Sequence, residues 1–165
     1  MMNIRTGTID DLQTIAEIEA RSFPPAEAAS SKVLKERLLR FPEHFWILEE
    51  TNGVISAFVC GMATDEPRLR DEMFENAELH QKAGDWQMIF AVATVPEYRG
   101  RGRASALLNG VIGDVKSQGR KGLVLTCKKS LIPFYETFGF RNEGVSASVH
   151  GGAIWYDMRL RFSCP

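Results

Sequence analysis

Apolar positions along the 165-residue chain recur with two periods, and their alternation sets out an order of elements. Met2 to Arg5 predicts a short strand. Leu12, Ile15, Ala16 and Ile18 follow at helical spacing, with Thr8 placed to cap and Asp10 and Asp11 in the first turn. Phe23-Pro24-Pro25 ends that helix, because proline has no amide hydrogen and restricts the residue before it. Ala26 to Leu39 predicts a second helix with Val33, Leu34, Leu38 and Leu39 on its apolar stripe. Phe45–Glu50 and Val54–Met62 predict strands joined across Asn52-Gly53, a dipeptide suited to the positive φ of a tight hairpin. Asp65 to Gly84 is polar and irregular, with room for a helical turn or two. Met88 to Val95 is apolar and partly β-branched, as in a buried strand, and Ala106, Leu107, Leu108, Val111, Ile112 and Val115 return to helical spacing. Gly122–Cys127 predicts a further buried strand and Ile132–Phe138 a short helix. Phe140–Val149 and Ala153–Leu160 complete the pattern as a terminal strand pair turning at Gly151-Gly152.

The resulting order, β-α-α-β-β-β-α-β-α-β-β, indicates an α/β protein with one mixed sheet flanked by helices. With no repeat, low-complexity tract or linker, residues 1–165 are expected to form a single domain.

The densest chemical signal lies between the central strand and the helix after it. There Arg99-Gly100-Arg101-Gly102-Arg103-Ala104 makes a glycine-interrupted basic turn. Glycines let a backbone approach an anion closely, and a helix start directs unpaired N–H groups toward it. Arginines add attraction for polyphosphate and forked hydrogen bonds. A solvated basic turn opening an amphipathic helix fits the turn equally well. Charge favours the anion site: residues 97–130 hold 8 Lys/Arg against 2 Asp/Glu, whereas residues 1–96 hold 9 against 16. An acidic first half suits a cationic substrate. Nucleic acid is not expected as a partner, because the basic segment is short and no aromatic residues interleave with it. No apolar run approaches membrane-spanning length, and no signal peptide or metal-ligand cluster is evident. Cys60, Cys127 and Cys164 lack metal spacing and read as reduced thiols of a cytoplasmic protein. The turn also lacks the Gly-Lys-Ser/Thr ending of a P-loop.

Arg99-x-x-Gly102-x-Ala104 after the fourth strand resembles the cofactor loop of the GNAT superfamily of acyl-coenzyme A N-acyltransferases. Leu131-Ile132-Pro133-Phe134-Tyr135-Glu136-Thr137-Phe138-Gly139-Phe140 is similar to that superfamily's C-terminal motif, in which a helix carries a tyrosine toward the thioester. Val95-Pro96-Glu97-Tyr98-Arg99, Cys127 and Pro133-Phe134-Tyr135-Glu136 resemble the arylalkylamine N-acetyltransferases within it. Phe23-Pro24-Pro25-Ala26-Glu27-Ala28-Ala29-Ser30 resembles a segment of their non-vertebrate members.

The resemblance implies an acyl-CoA N-acyltransferase fold with a mostly antiparallel sheet and acetyl-coenzyme A as cofactor. It implies that backbone groups of Val92, Ala93 and Thr94 bond the pantetheine arm, and that Arg99, Gly100, Arg101, Gly102, Arg103, Ala104 and Ser105 form the pyrophosphate loop. Tyr135 is then the acid for the departing thiolate. A core tyrosine clustered with Phe134, Phe138 and Phe140 is the plainer account of the same residue. One departure matters. Vertebrate members carry two histidines on the strand before the loop, where this chain has Met88 and Phe90.

Acetyl transfer requires a neutral amine, whereas alkylamines have a pKa near 10, so a proton must be removed. Glu27 is the candidate base by resemblance, although a carboxylate there also suits the start of the following helix. His44, His80 and His150 are the other candidates for the base, each in a polar loop or strand-end context in which a solvated histidine is the plainer reading. Glu97 is expected to pair with an arginine. Phe23, Pro24 and Phe90, with Trp155, are candidate amine-binding residues, and the acidic Asp65–Glu75 stretch is either an attractor of polyamines or a solvated face. The function expected is acetyl transfer to a small primary amine, an arylalkylamine or a polyamine, in a ternary complex, by a monomer or homodimer. A non-catalytic acetyl-coenzyme A-binding regulator and a peptide or protein N-acetyltransferase are the alternatives.

Overall fold

A computed structural model describes residues 2–163. Its strands are β1 (Asn3–Thr6), β2 (Phe45–Glu49), β3 (Ile55–Thr64), β4 (Trp86–Thr94), β5 (Gly122–Cys127), β6 (Arg141–Val145) and β7 (Tyr156–Arg161). Its helices are α1 (Leu12–Ser22), α2 (Ser31–Arg40), α3 (Asp71–Glu75), α4 (Arg103–Ser117) and α5 (Ile132–Glu136). The seven strands form one sheet in the order β1-β2-β3-β4-β5-β7-β6. β4 and β5 pair in parallel, whereas β1/β2, β2/β3, β5/β7 and β6/β7 are antiparallel. The mixed, mostly antiparallel sheet flanked by helices is thus present.

Two compact units share the chain, one built from the residues up to Gly61 with Ala91–Val111, the other from Met62–Phe90 with the residues from Ile112 onward. In the first unit, Ile15, Ile18, Leu34, Leu38, Phe41, Phe45, Ile47 and Phe58 are buried. The second helix begins later than its pattern predicts. Pro24 O accepts from the amides of Glu27 and Ala28 in a separate turn, and the Ser30 side chain then caps α2 by accepting from Val33 N at 3.2 Å. Leu39 is not on the apolar stripe, being 61% exposed, because the buried face of α2 runs through Leu34, Arg37 and Leu38.

Asp11 ties the start of the chain together. Its carboxylate accepts from both terminal nitrogens of Arg5, at 2.9 and 2.8 Å, and from Thr8 N at 2.8 Å. Arg5, outweighing the opposing effect of burial, holds this carboxyl below its usual range. A depressed folded-state value gives stability that is present above the unfolded value and lost as pH falls through the folded one. Asp11→Asn is therefore expected to cost about 1 kcal/mol at neutral pH, a modest figure for a partly solvated pair. The deficit should shrink as pH falls below about 4; urea melts at pH 7 and pH 3 check this.

In the second unit, Met62, Met73, Trp86, Met88, Leu123, Leu125, Phe140 and Met158 are buried. Gly122 is required by close approach, since a Cβ there would lie 2.0 Å from Leu160 O. The terminal strands do not meet in a tight turn at Gly151-Gly152. β6 stops at Val145 and β7 starts at Tyr156, and the intervening loop contains a 3-10 turn at His150–Gly152. One backbone bond, Ser146 N to Trp155 O at 2.8 Å, extends the pairing, and side chains from outside the strands fasten the rest of the loop. Asp71 accepts from Ser148 Oγ and, at 3.0 Å, from Val149 N, while Trp155 Nε1 donates to His150 O at 2.8 Å.

Cys60 and Cys127 are buried free thiols, and desolvation pushes them up to about 12 and about 11 respectively. Cys164 lies outside the described residues. No described helix is long and apolar enough to cross a membrane.

Candidate active site

β4 ends in Val92, Ala93 and Thr94, with Ala93 buried and its two neighbours half-buried. A 3-10 turn, Pro96–Tyr98, leads away from the sheet, and Arg99 Nε folds back onto Thr94 O at 3.0 Å. Gly100 and Gly102 then adopt φ of +76° and +75°. This left-handed region is costly for any residue with a Cβ, so glycine lets the chain turn twice before α4 starts. Ala106 N bonds Gly102 O at 3.0 Å, so Gly102 provides the first helical acceptor and the amides of the opening turn remain as donors. Nothing lies within 4 Å of where a Cβ would stand on either glycine. The turn therefore presents backbone donors to open space at the positive end of a 15-residue helix, a fit for a polyphosphate.

The arginines divide their work. Arg103 is forked onto Glu50, with Nε at 2.9 Å and Nη2 at 2.7 Å, and Glu50 also accepts from Ser56 Oγ. Arg103 first, then Ser56, holds the Glu50 carboxyl below its usual range. Arg101 is exposed, its guanidinium 5.3 Å from the Tyr98 ring centre, which keeps a cation at the turn. Glu97 pairs with an arginine as expected, and the arginine is Arg21 of α1, at 2.6 Å.

Tyr135 stands on α5, only 7% exposed, with Phe134 and Phe140 edge-on at 5.1 and 5.8 Å between ring centres. Burial, reinforced by Cys127, pushes its phenol well above the usual range, so it remains a proton donor at any physiological pH. An aromatic cluster and an acid are both consistent with that environment.

The candidate amine-binding residues fall in different units. Phe23 is the half-buried residue that ends α1, with Pro24 exposed beside it, and both belong to the first unit with Glu27. Glu27 is half-buried in the turn ahead of α2, three residues before the Ser30 cap. Phe90, in the second unit, packs at 4.9 Å against Phe74 of α3. Phe74 in turn stacks on His150 at 4.7 Å with the rings 9° apart, and His150 lies 6.0 Å from Trp155. This aromatic row was hidden in the sequence. Phe74 falls in a polar segment, and its one visible cue was the pair Met73-Phe74 within that segment.

The histidines are not solvated as expected. His44 is 2% exposed and edge-on to Phe41 and Trp46, and His80 Nδ1 accepts from Ala63 N at 3.1 Å. His150 is half-buried in the aromatic row. The acidic stretch is also largely engaged: Arg70 bonds Glu66 and Glu72, and Asp71 holds the loop before His150.

Comparison with known proteins agrees with this geometry. Residues 12–140 match the acetyltransferase (GNAT) family. Serotonin N-acetyltransferase of Mesocricetus auratus is 30% identical over 166 residues, covering 97% of this chain and 77% of the hamster protein. The human serotonin N-acetyltransferase is 30% identical over 107 residues, 64% of this chain and half the length of that relative. Among solved structures, the loading GNATL domain of CurA from Lyngbya majuscula superposes with a TM-score of 0.83 at 16% identity, over 98% of both chains. The PaiA N-acetyltransferase from Thermoplasma acidophilum in complex with coenzyme A gives 0.71 at 16% identity, over 98% of this chain and 99% of that one. The sheet, the two left-handed glycines ahead of α4 and a family match over most of the chain converge, and the protein belongs to the GNAT family of N-acetyltransferases, whose acyl donor is acetyl-coenzyme A.

Proposed function

We propose that the chain acetylates a small arylalkylamine by direct attack in a ternary complex. The half-buried aromatic row Phe90–Phe74–His150–Trp155 carries this reading, because aromatic rings are the packing partners an aromatic amine prefers. The likeness to serotonin N-acetyltransferases points the same way. A polyamine fits less well. The acidic side chains 66, 71 and 72 are engaged with protein partners, and Lys128 Nζ stands 5.7 Å above the Trp155 ring, where it repels a second ammonium.

Bound acetyl-coenzyme A supplies an acetyl group activated as a thioester. The backbone of Val92 to Thr94 is assigned the pantetheine arm, and the Val92 amide is assigned the developing oxyanion. The amides of the 100–105 turn, with Arg99, Arg101 and Arg103 around them, are assigned the pyrophosphate. Tyr135 donates the proton that the leaving thiolate needs. Phe23 and Pro24 are assigned contacts with the amine, and Glu27 the attraction of its ammonium form. Buried free thiols at Cys60 and Cys127 suit a reducing compartment, so we place the reaction in the cytoplasm.

Thiol release from acetyl-coenzyme A with tryptamine, phenethylamine, spermidine and short peptides tests the reading. Tryptamine or phenethylamine is expected to exceed spermidine at least tenfold in kcat/KM; preference for spermidine or peptides overturns the arylalkylamine assignment. Glu50 offers a second check. Glu50→Gln keeps the size of the side chain but loses the charge that fixes Arg103, so KM for acetyl-coenzyme A should rise several-fold with kcat nearly unchanged. An unaltered KM would separate the Glu50–Arg103 pair from cofactor binding.

A further inference from the structure

One sheet face of the second unit can be followed strand by strand. Met88 of β4 pairs Val124 of β5, and Thr126, two residues on, pairs Asp157 of β7. Side chains alternate along a strand, so Phe90, Thr126 and Asp157 fall on one side, with Arg159 and Arg161 after them. The guanidinium groups of Arg159 and Arg161 accordingly lie 4.6 and 4.9 Å from the ring centre of Trp86 on β4. Trp155 belongs to the same side. The bond from Ser146 N to Trp155 O carries the β6/β7 pairing one residue past Tyr156, which sets Trp155 two residues ahead of Asp157. The aromatic row therefore ends beside a carboxylate of its own unit.

Positive charge around this carboxylate is thin. Glu143 of β6 takes Arg159 at 2.9 Å, whereas Asp157 has Arg68 at 4.0 Å, the outer limit of an ion pair, on a side chain 79% exposed. Its hydrogen bond comes from a neutral group, the Ser146 hydroxyl. The Asp157 side chain is itself only 14% exposed. Burial pushes its carboxyl above the ordinary value, and Ser146, Arg68 and Arg159 do not cancel that effect. A carboxylate has room for about four hydrogen bonds, so this one can accept further donors. A desolvated anion gains most from a cationic donor, and the adjoining rings from a flat aromatic group. An arylalkylammonium ion carries both in one molecule.

From this juxtaposition we infer that Asp157 is the docking group for the ammonium of the amine substrate, with Trp155 beside it to orient the attached ring. The inference rests on the arylalkylamine reading and assigns the charged end of the ligand, which the aromatic row leaves unmatched. On binding, the ammonium donates to Asp157 and the exposed Arg68 gives way to solvent. Lys128, 5.7 Å from the Trp155 ring centre, adds a positive charge on the ring side, so a ligand with one cation is favoured over one with several. Asp157 acts here as a binding residue. The contact is made as the substrate docks, so it governs KM more than kcat.

Tryptamine and tryptophol, its neutral alcohol counterpart, test this at pH 7, where the amine is protonated. With coenzyme A present, which cannot react, the wild type should bind tryptamine about tenfold more tightly than tryptophol by calorimetry. Asp157→Asn keeps the size of the side chain and an acceptor for Ser146 but removes the charge. It should lose about tenfold in affinity for tryptamine and stay within about twofold for tryptophol. A purely structural role would weaken both ligands alike. In turnover, KM for tryptamine should rise about tenfold while KM for acetyl-coenzyme A holds, and Asp157→Glu, which restores the charge, should recover part of the loss. Equal affinity of the wild type for the two ligands overturns the assignment whether or not the variant folds. An equal loss of both in Asp157→Asn, or an unaltered KM for tryptamine, also overturns it and leaves arylalkylamine acetylation standing. A wild type that neither binds nor acetylates an arylalkylamine overturns both.

Discussion

Tyr135→Phe is expected to lower kcat about a hundredfold while leaving the dissociation constant of acetyl-coenzyme A within about twofold. The size follows from general acid catalysis, which contributes about 10²- to 10⁴-fold, taken at its lower end because a thiolate is a fair leaving group without help. The pattern follows from placement. The Tyr135 ring is packed by Phe134 and Phe140, contacts that phenylalanine reproduces, so the substitution removes one oxygen and little packing. Burial holds the phenol well above its ordinary range, which adds a pH signature. The proton-donating form persists, so wild-type kcat should show no loss between pH 8 and pH 10 from this group. Rapid-mix and steady-state rates with thiol detection, beside calorimetric binding of the donor, separate the two quantities. Undiminished turnover in the phenylalanine variant would leave Tyr135 as a core residue of its aromatic cluster.

The second large effect concerns the anion turn. Gly102→Val should weaken acetyl-coenzyme A binding about a hundredfold. Space is not the obstacle, because nothing stands within 4 Å of a Cβ at this position. The cost comes from φ of +75°, a region that a β-branched residue occupies only under strain of about 1–3 kcal/mol. The chain escapes the strain by changing φ, which displaces the amides that open α4. An added side chain also stands where the phosphate must approach. Binding measured by calorimetry, with a melting curve to confirm the fold, gives the answer. Unchanged affinity would remove the turn from the cofactor site. Gly102→Ala should fall between the two, since alanine tolerates the left-handed region better than valine does.

Much of this site was legible in the chain. Arg99-x-x-Gly102-x-Ala104 after an apolar strand is a local signal: glycine spacing sets the turn, and the helical period after it sets where the donors point. Tyr135 was legible for the same reason, on a short helix in a contiguous motif. The prolines at 24 and 25 marked the end of α1 correctly, but the start of α2 depended on Ser30 capping Val33, a competition between two local hydrogen bonds that periodicity does not resolve. The terminal strand pair is present, but its connection is a long loop and not a tight turn, for a different reason. Gly151-Gly152 does turn the chain, yet Asp71 and Trp155 fasten the segment around it, and Asp71 is 78 residues from Val149.

The sequence by itself determined the α/β order, the glycine turn and the tyrosine helix, because each is written in residues that are neighbours along the chain. Tertiary structure alone decided which charges are spent and which groups are poised. It set Arg103 against Glu50, 53 residues away, and engaged acidic side chains that, left unpaired, would draw a polyamine. It also turned His150 from an apparent surface residue into one stacked on Phe74. Side-chain pairing and burial depend on distances in space, and no period along the chain encodes them.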